Sequence, residues 1–148
     1  MLRAAADAGA DAIYCGFQDA TNARNFAGLN FTPNQLQDAV AYAHARGAKV
    51  LLAINSFATA GRYDLWQKAA DCGAACGVDA FIVADIGVAP YIAERHAGRR
   101  LHLSVQAAAS SPEAINFYCR EFGVRRAVLP RILTLAEIHQ LKTEIDCE

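Results

Sequence analysis

The chain has 148 residues, of which 54% are hydrophobic and 20% are charged, and its formal net charge is -1. This composition is that of a globular protein with a sizeable core, and the near-neutral charge gives no basic field that would hold DNA or RNA. No apolar run approaches the ~20 residues of a membrane span, and the N-terminus lacks the apolar stretch of a signal peptide, so a cytoplasmic location is expected.

One phrase occurs five times along the chain: an alanine-rich amphipathic segment, a glycine, and a short apolar run. Glycine just past a helix end is a common helix terminator, so the phrase predicts a helix, its cap and a strand. Thr32 with Gln35 and Thr134 with Glu137 have the spacing of capping boxes at two helix starts. In chain order we predict helices at about 2–8, 33–46, 61–76, 87–97, 112–122 and 134–144, with strands at about 11–16, 49–54, 79–84, 101–105 and 126–129.

The alternation of helices and strands predicts an α/β fold with a parallel sheet. Apolar runs without strict alternation are typical of parallel strands that are covered on both faces. Because a closed (β/α)8 barrel takes about 250 residues, we expect a partial (β/α)8 TIM-like barrel, truncated at both ends, in which residues 1–148 form a single domain of a longer protein. A doubly wound sheet is the alternative, although no glycine-rich phosphate loop follows any strand.

In either architecture the functional face lies at the carboxyl ends of the strands. Amides, a carboxylate and two guanidinium groups occur there, and such groups orient a polar planar or carboxylate-bearing ligand. We therefore predict a substrate-binding site formed by Asn22, Arg24, Asn25, Asn55, Asp85, Gln106 and Arg131. Asp85 could instead cap the following helix, Asn55 could serve a turn, and Arg131 could pair with an internal carboxylate.

The cysteines and histidines do not indicate a catalytic or metal site. Five cysteines are an odd number and are scattered, so we expect reduced thiols. Cys72 and Cys76 share a helix face but lack two further ligands, and no metal site is predicted. Cys15 lies at a strand end without a neighbouring histidine to activate it, and His102 alternates with apolar residues as structural histidines do. No catalytic residue is assigned.

Three segments resemble peptidase family U32, the collagenase-like family: GADAIYCGFQDATNARNFAGLNFT, LLAINSFA, and HLSVQAAASSPEAINFYCREFGVRRAVLPRILTLAEI. Within that family the chain is most similar to the UbiU type. The resemblance implies a role in oxygen-independent (anaerobic) ubiquinone biosynthesis, in which a heterodimer with a UbiV-type paralogue hydroxylates the ring precursor. It also implies a 4Fe-4S cluster bound by four cysteines that follow this region, so that none of the five cysteines here is a cluster ligand. A collagenase-like peptidase and a non-catalytic ligand-binding or assembly module are the alternatives.

Overall fold

The computed structural model describes all 148 residues, and helices alternate with strands along the whole chain. No helix is both long enough and apolar enough to cross a membrane. The helices are α1 (Leu2–Asp7), α2 (Pro33–His44), α3 (Tyr63–Ala75), α4 (Val88–Arg95), α5 (Pro112–Phe122) and α6 (Leu135–Lys142). The strands are β1 (Ala12–Gly16), β2 (Lys49–Ile54), β3 (Ala80–Val83), β4 (Arg100–Leu103) and β5 (Val124–Ala127), and a 3-10 turn spans Val105–Ala107.

The five strands form one parallel sheet in the order in which they occur in the chain. Sequential order means that every helix crosses to the next neighbouring strand, as in a (β/α)8 barrel, whereas a doubly wound sheet reverses its order at a switch point. The predicted α/β, partial-barrel architecture is therefore confirmed. At the far side of β5, the Glu148 N–H donates to the Arg125 carbonyl (3.1 Å) and its carbonyl accepts from the Ala127 N–H (2.8 Å), the pattern of a parallel neighbour.

Both predicted capping boxes are present. The Thr32 hydroxyl accepts from the Gln35 N–H (3.3 Å), and the Gln35 side chain accepts from the Thr32 N–H (2.9 Å). Thr134 and Glu137 make the same reciprocal pair at the start of α6. Each box satisfies two N–H groups that the first helical turn leaves unpaired, and so it fixes where the preceding loop ends.

Three local features differ from the sequence prediction. Strand β5 begins at Val124 rather than at 126, because Gly123 has a left-handed conformation (φ 67°) that ends α5 and lets the strand start at once. The residues after β4 form a 3-10 turn that the apolar pattern did not reveal. Gly98 does not end a helix: α4 ends at Arg95 with His96 as its cap, and Gly98 has no positive φ.

The two faces of the sheet differ in chemistry. Alternate strand residues pack with the helices in one apolar core, which includes Ile13, Cys15, Val50, Leu52, Phe81, Val83, Leu101 and Leu103. The residues between them lie outside that core on the opposite face, here called the inner face: Tyr14, Leu51, Ala53, Ile82 and His102. Continuing the alternation past the strand ends places Asn55 and Ser104 on the inner face as well. The helices therefore cover one face, and the buried polar side chains of Asn55, His102 and Ser104 lie on the other.

Close packing of α3 on the sheet depends on Gly73. A Cβ atom at this position would overlap Leu52 Cδ2 and would lie 2.9 Å from Phe81 Cε1, both of which are fully buried. We expect Gly73→Ala to lower the free energy of unfolding by about 1–3 kcal/mol through overpacking, although alanine is the better helix former. Gly98→Ala is the control, since nothing lies within 4 Å of its Cβ position. Urea unfolding measures both, and equal stability of Gly73→Ala and wild type would contradict this packing.

A carboxylate joins α3 to α4. Asp71 accepts from the Tyr91 hydroxyl (2.9 and 3.0 Å) and contacts His96 Nε2 at 2.8 Å. Burial raises the pKa of Asp71, but the hydrogen bonds from His96 and Tyr91 outweigh it, and the net pKa is lowered from 3.8. A lowered pKa contributes stability above pH 3.8, and this contribution is lost as the pH falls through the folded-state value.

Asp71→Ala should therefore cost about 1 kcal/mol of unfolding free energy at pH 7, a modest value because the side chain is 43% exposed and solvent screens it. The difference from wild type should shrink as the pH falls below 3.8. Asp38→Ala, which removes an exposed carboxylate on α2, should leave stability within about 0.5 kcal/mol. Thermal unfolding at pH 7 and pH 3 tests this, and a difference that does not shrink between pH 7 and pH 3 would count against the Asp71 hydrogen bonds as its cause.

Candidate functional site

The loop between β1 and α2 is built around Asn22. This side chain is only 4% exposed, and its Nδ2 donates to the Phe17 carbonyl (3.1 Å) and to Asn30 Oδ1 (2.9 Å). Its Oδ1 accepts from the Arg24 N–H (3.0 Å). The amide also lies directly against Gly16, where a Cβ atom would overlap Asn22 Nδ2. Asn22 therefore shapes the loop from within.

Asn30 closes the loop from the other side. Its Nδ2 donates to the carbonyls of Arg24 (2.9 Å) and Phe26 (3.2 Å). Phe31 returns beside the end of β1, where its N–H donates to the Gly16 carbonyl at 3.0 Å. Two asparagines thus satisfy the backbone groups of a long loop that has no regular structure, and they fix the position of Arg24 between them.

A cluster of polar side chains occupies the inner-face side of the strand ends. Asn55, which is 1% exposed, donates through Nδ2 to Tyr14 Oη (3.3 Å), Ser104 Oγ (3.3 Å) and Gln106 Oε1 (3.1 Å). Its Oδ1 accepts from the Ala23 N–H at 3.0 Å. One amide therefore joins β1, β2, the end of β4 and the loop after β1. We call Tyr14, Asn55, Ser104 and Gln106 the amide cluster.

Gln106 is held in place by the 3-10 turn after β4. Ser104 caps this turn by accepting from the Gln106 N–H at 3.4 Å, and its hydroxyl also contacts Gln106 Oε1. Ala108 ends the turn with a left-handed backbone (φ 53°), which is a strained conformation for a residue with a Cβ atom. The Gln106 side-chain nitrogen makes no hydrogen bond, so its two N–H groups are free for a ligand.

The predicted binding residues have different surroundings. Arg24 lies at the edge of the amide cluster, with Nη1 3.5 Å from Tyr14 Oη. Asp85 accepts from the N–H groups of Ala58 (2.8 Å), Gly87 (2.6 Å) and Val88 (3.2 Å), the capping role considered as its alternative. Asn25 and Arg131 are exposed and make no side-chain hydrogen bond. The structure thus brings together Asn55, Gln106 and Arg24, while Asn22 and Asp85 hold loops. Ligand contact by any of the seven stays a prediction.

Tyr14, Ser104 and Asn30 are members of this site that the sequence prediction missed. Tyr14 is flanked by Ile13 and Cys15, and only the alternation of strand faces separates it from the core that contains both. Its side chain is 43% exposed and its hydroxyl meets Asn55. Ser104 stands two residues after His102, so the same alternation could have indicated it. Asn30 is fixed by contacts inside the loop, and no local pattern marks it.

Large apolar side chains are exposed at the same end of the sheet as the amide cluster. Four of the five loops that follow strands expose one or two of them, and we call this set the apolar rim: Phe26, Leu29, Phe57, Ile86 and Ile132, which are 53–83% exposed. Exposed apolar groups collected at one end of a domain indicate a binding surface. A cluster of amides and hydroxyls inside an apolar rim suits an amphipathic ligand with a polar planar head.

Three of the five cysteines have thiols that are poor nucleophiles. Burial raises the pKa of the Cys15 thiol to about 12, and burial likewise raises the pKa of Cys119 to about 12 and that of Cys76 to about 11. Such thiols are protonated at neutral pH, and the thiolate is the reactive form. The structure also gathers no three His, Cys, Asp or Glu side chains into a possible metal site.

Asn55 should be the main stabilising contact of the site. Asn55→Ala removes a buried amide and leaves the Ala23 N–H and Gln106 Oε1 without this partner, and we expect a loss of about 1–3 kcal/mol of unfolding free energy. Asn25→Ala removes an exposed amide from the same loop region and should change stability by no more than about 0.5 kcal/mol. Urea unfolding compares the two variants. Similar values for both would show that the cluster contributes little to the fold.

Comparison with known proteins identifies one family along the entire chain. The sequence profile described as "Peptidase family U32" matches residues 1–148. An uncharacterized protease of Methanocaldococcus jannaschii is 32% identical over 97% of this chain and 34% of its own length. A tRNA hydroxylation protein P of Helicobacter pylori is 34% identical over 95% and 33%, and a collagenase of Porphyromonas gingivalis is 30% identical over 97% and 34%. The chain thus spans about a third of the length of these relatives.

Solved structures agree on the fold. A U32 peptidase superposes with a TM-score of 0.77 at 20% identity, covering 93% of this chain and 58% of that one. A type I 3-dehydroquinate dehydratase of Clostridium difficile, a TIM-barrel enzyme, gives 0.63 at 12% identity, with 96% and 57% covered. At these identities the likeness concerns the fold alone, and the family follows from the profile that spans every residue: the chain belongs to peptidase family U32.

Proposed function

We propose that this chain is the barrel region of a UbiU-type protein that acts in anaerobic ubiquinone biosynthesis, where it hydroxylates the ring precursor together with a UbiV-type paralogue. The observation that carries the proposal is the apolar rim around the amide cluster. A ubiquinone precursor combines a polar aromatic ring with a long apolar tail. The ring suits the amide cluster, and the tail suits Phe57 and Ile86 at the rim.

The residues of the site would bind and orient the ring. The free N–H groups of Gln106 donate to an oxygen substituent, and the Tyr14 hydroxyl beside Asn55 can donate or accept. Both N–H groups of Asn55 are engaged within the site and its side chain is 1% exposed, so it holds the other members in place rather than meeting the substrate itself. Arg24 at the edge is suited to a ring oxygen that carries negative charge.

The 4Fe-4S cluster implied by the family resemblance does not fit the cysteines of this chain. Cys15 is buried in the core on its own, and Cys72 with Cys76 lies on α3, while Cys119 and Cys147 lie at α5 and β5. Four thiolates around one cluster would need all of these elements to rearrange. We propose that the ligands lie in another part of the full-length protein, and none of the roles given above involves the cluster.

Hydroxylation of tRNA is the second candidate, because several relatives bear that name. A tRNA-binding surface is built mainly from Lys and Arg that meet phosphates. Here the net charge is -1, and the strand-end loops expose apolar groups beside few cations, of which Arg24 and Arg131 have no carboxylate partner. The rim therefore favours an amphipathic small molecule. Peptidase activity, the third candidate, lacks an activated nucleophile.

Gln106→Ala in the full-length protein tests the proposal. The change removes the free donors of the amide cluster, and we expect anaerobic ubiquinone formation to fall by about tenfold or more at normal protein level. Gln37→Ala removes an exposed glutamine from α2 and should leave ubiquinone formation unchanged. Mass spectrometry of extracted quinones from anaerobic cells that depend on each variant gives the measurement.

The same cultures distinguish the candidates. Hydroxylated nucleosides in their tRNA are measured alongside the quinones, and purified protein is incubated with gelatin. If Gln106→Ala lowers tRNA hydroxylation and leaves ubiquinone intact, the quinone proposal is wrong and the tRNA reading replaces it. Full ubiquinone formation by a normally abundant Gln106→Ala protein would equally overturn the role of this site.

A further inference from the structure

A β-bulge redirects one arginine of β5. Leu101 pairs with Val124, but the next residue of β4, His102, pairs with Arg126, so Arg125 is an extra residue in the strand. Val124 packs in the helix-covered core, and regular alternation would place Arg126 on that same face. The bulge instead brings Arg126 into register with His102 on the inner face. Bulges recur where a strand must aim a functional side chain.

A second arginine and a carboxylate accompany Arg126. Glu148 accepts from Arg100 Nη2 through Oε1 (3.1 Å) and from Arg126 Nε through Oε2 (2.9 Å), and Arg126 Nη2 also contacts Oε2. Two guanidinium groups and one carboxylate leave a local charge of +1. The three side chains are 46–54% exposed, so the charge is open to a ligand.

The arginines retain unused donors. A guanidinium carries five N–H groups in a planar fork, and the contacts with Glu148 use two from Arg126 and one from Arg100. The remaining groups can bind a second carboxylate while Glu148 stays in place. Glu148 itself holds the two forks side by side, because it takes one oxygen to each.

His102 lies buried beside this cluster. It is 3% exposed, and its Nε2 is a buried side-chain atom without a hydrogen-bond partner. Burial lowers its pKa to about 4, with Arg126 and Arg100 lowering it further and Glu148 opposing them, so the imidazole is neutral at pH 7. An orphan buried nitrogen destabilises the fold unless something pairs with it. Arg126, its register partner on β5, is half-exposed, so a ligand held by Arg126 would lie next to this nitrogen.

We propose that Arg126, Arg100 and His102 form a binding site for a small aromatic monocarboxylate on the inner face of the sheet. The local charge of +1 matches one carboxylate and is too small for a phosphate dianion, and planar forks suit carboxylate oxygens. In the row of His102 the inner face carries Ile82 on β3 and Ala53 on β2, and these apolar side chains suit a ring. Ser104 follows the end of β4, two residues beyond His102 and about 6.6 Å away, so the ring would point toward the amide cluster.

Binding of benzoate to the purified protein tests this site without any hydroxylation assay, so it can fail or succeed independently of the proposed function. Calorimetric titration should show saturable one-to-one binding. Arg126→Gln should weaken it by about 10- to 100-fold, the usual effect of losing a charge-assisted hydrogen bond. Arg125→Gln is the matched control: Arg125 is the adjacent arginine of the same strand, but it borders a cavity with Ile92 and Phe122, and benzoate affinity should be unchanged.

A second measurement uses the wild-type protein and does not depend on a variant that folds. Long-range proton–nitrogen spectra of the imidazoles, with His102 assigned through His102→Asn, should show the Nε2 signal of His102 shifting on benzoate addition while those of His44 and His139 stay still. Absence of saturable binding overturns the proposal. So do equal losses in Arg126→Gln and Arg125→Gln, a motionless His102 signal, or tighter binding of inorganic phosphate than of benzoate.

Discussion

The buried amide of Asn55 is the contact on which the functional end of the fold depends. It follows β2, the second strand of the sheet, and its four hydrogen bonds reach β1, the turn after β4, and the loop that holds Arg24. A buried amide must be satisfied or it costs stability, so each partner is held where the amide needs it. The buried Asn55 amide needs hydrogen-bond partners, and its partners come from distant parts of the chain. Pairing this one side chain therefore brings them together in one site.

This arrangement is possible because the two faces of the sheet have different surroundings. The helix-covered face is closed and apolar, and Gly73 lets α3 approach it closely. The inner face can then carry polar groups without weakening the core. The bulge in β5 follows the same division, because it moves Arg126 away from the core face and into the row of His102. The irregularity of β5 therefore changes the side where a ligand is expected and leaves Val124 in the core.

The sequence sufficed for the elements of the fold and their order. Helix starts at Thr32 and Thr134 could be predicted because capping is a local interaction, and the strands could be found because apolar runs and glycines recur. The bulge could not, since register depends on the neighbouring strand. For the site, placement at strand ends identified Asn55 and Gln106, but it could not separate Asp85, which caps a helix, from residues that face the inner side. Tyr14 was hidden among core residues by its neighbours.

Several features that cost stability lie on the inner face of the sheet or at its strand ends. Exposed Phe57 and Ile132, the left-handed Ala108 and the unpaired Nε2 of His102 all lie on the inner face or at its strand ends. The helix-covered face shows a continuous apolar core instead. Strain and unpaired groups persist where the surrounding structure enforces them, and a ligand that pairs them regains the lost free energy on binding. The position of these features therefore argues for ligand binding on the inner face. The relatives' names are not needed for this inference, because it depends only on where the fold keeps strained, exposed or unpaired groups.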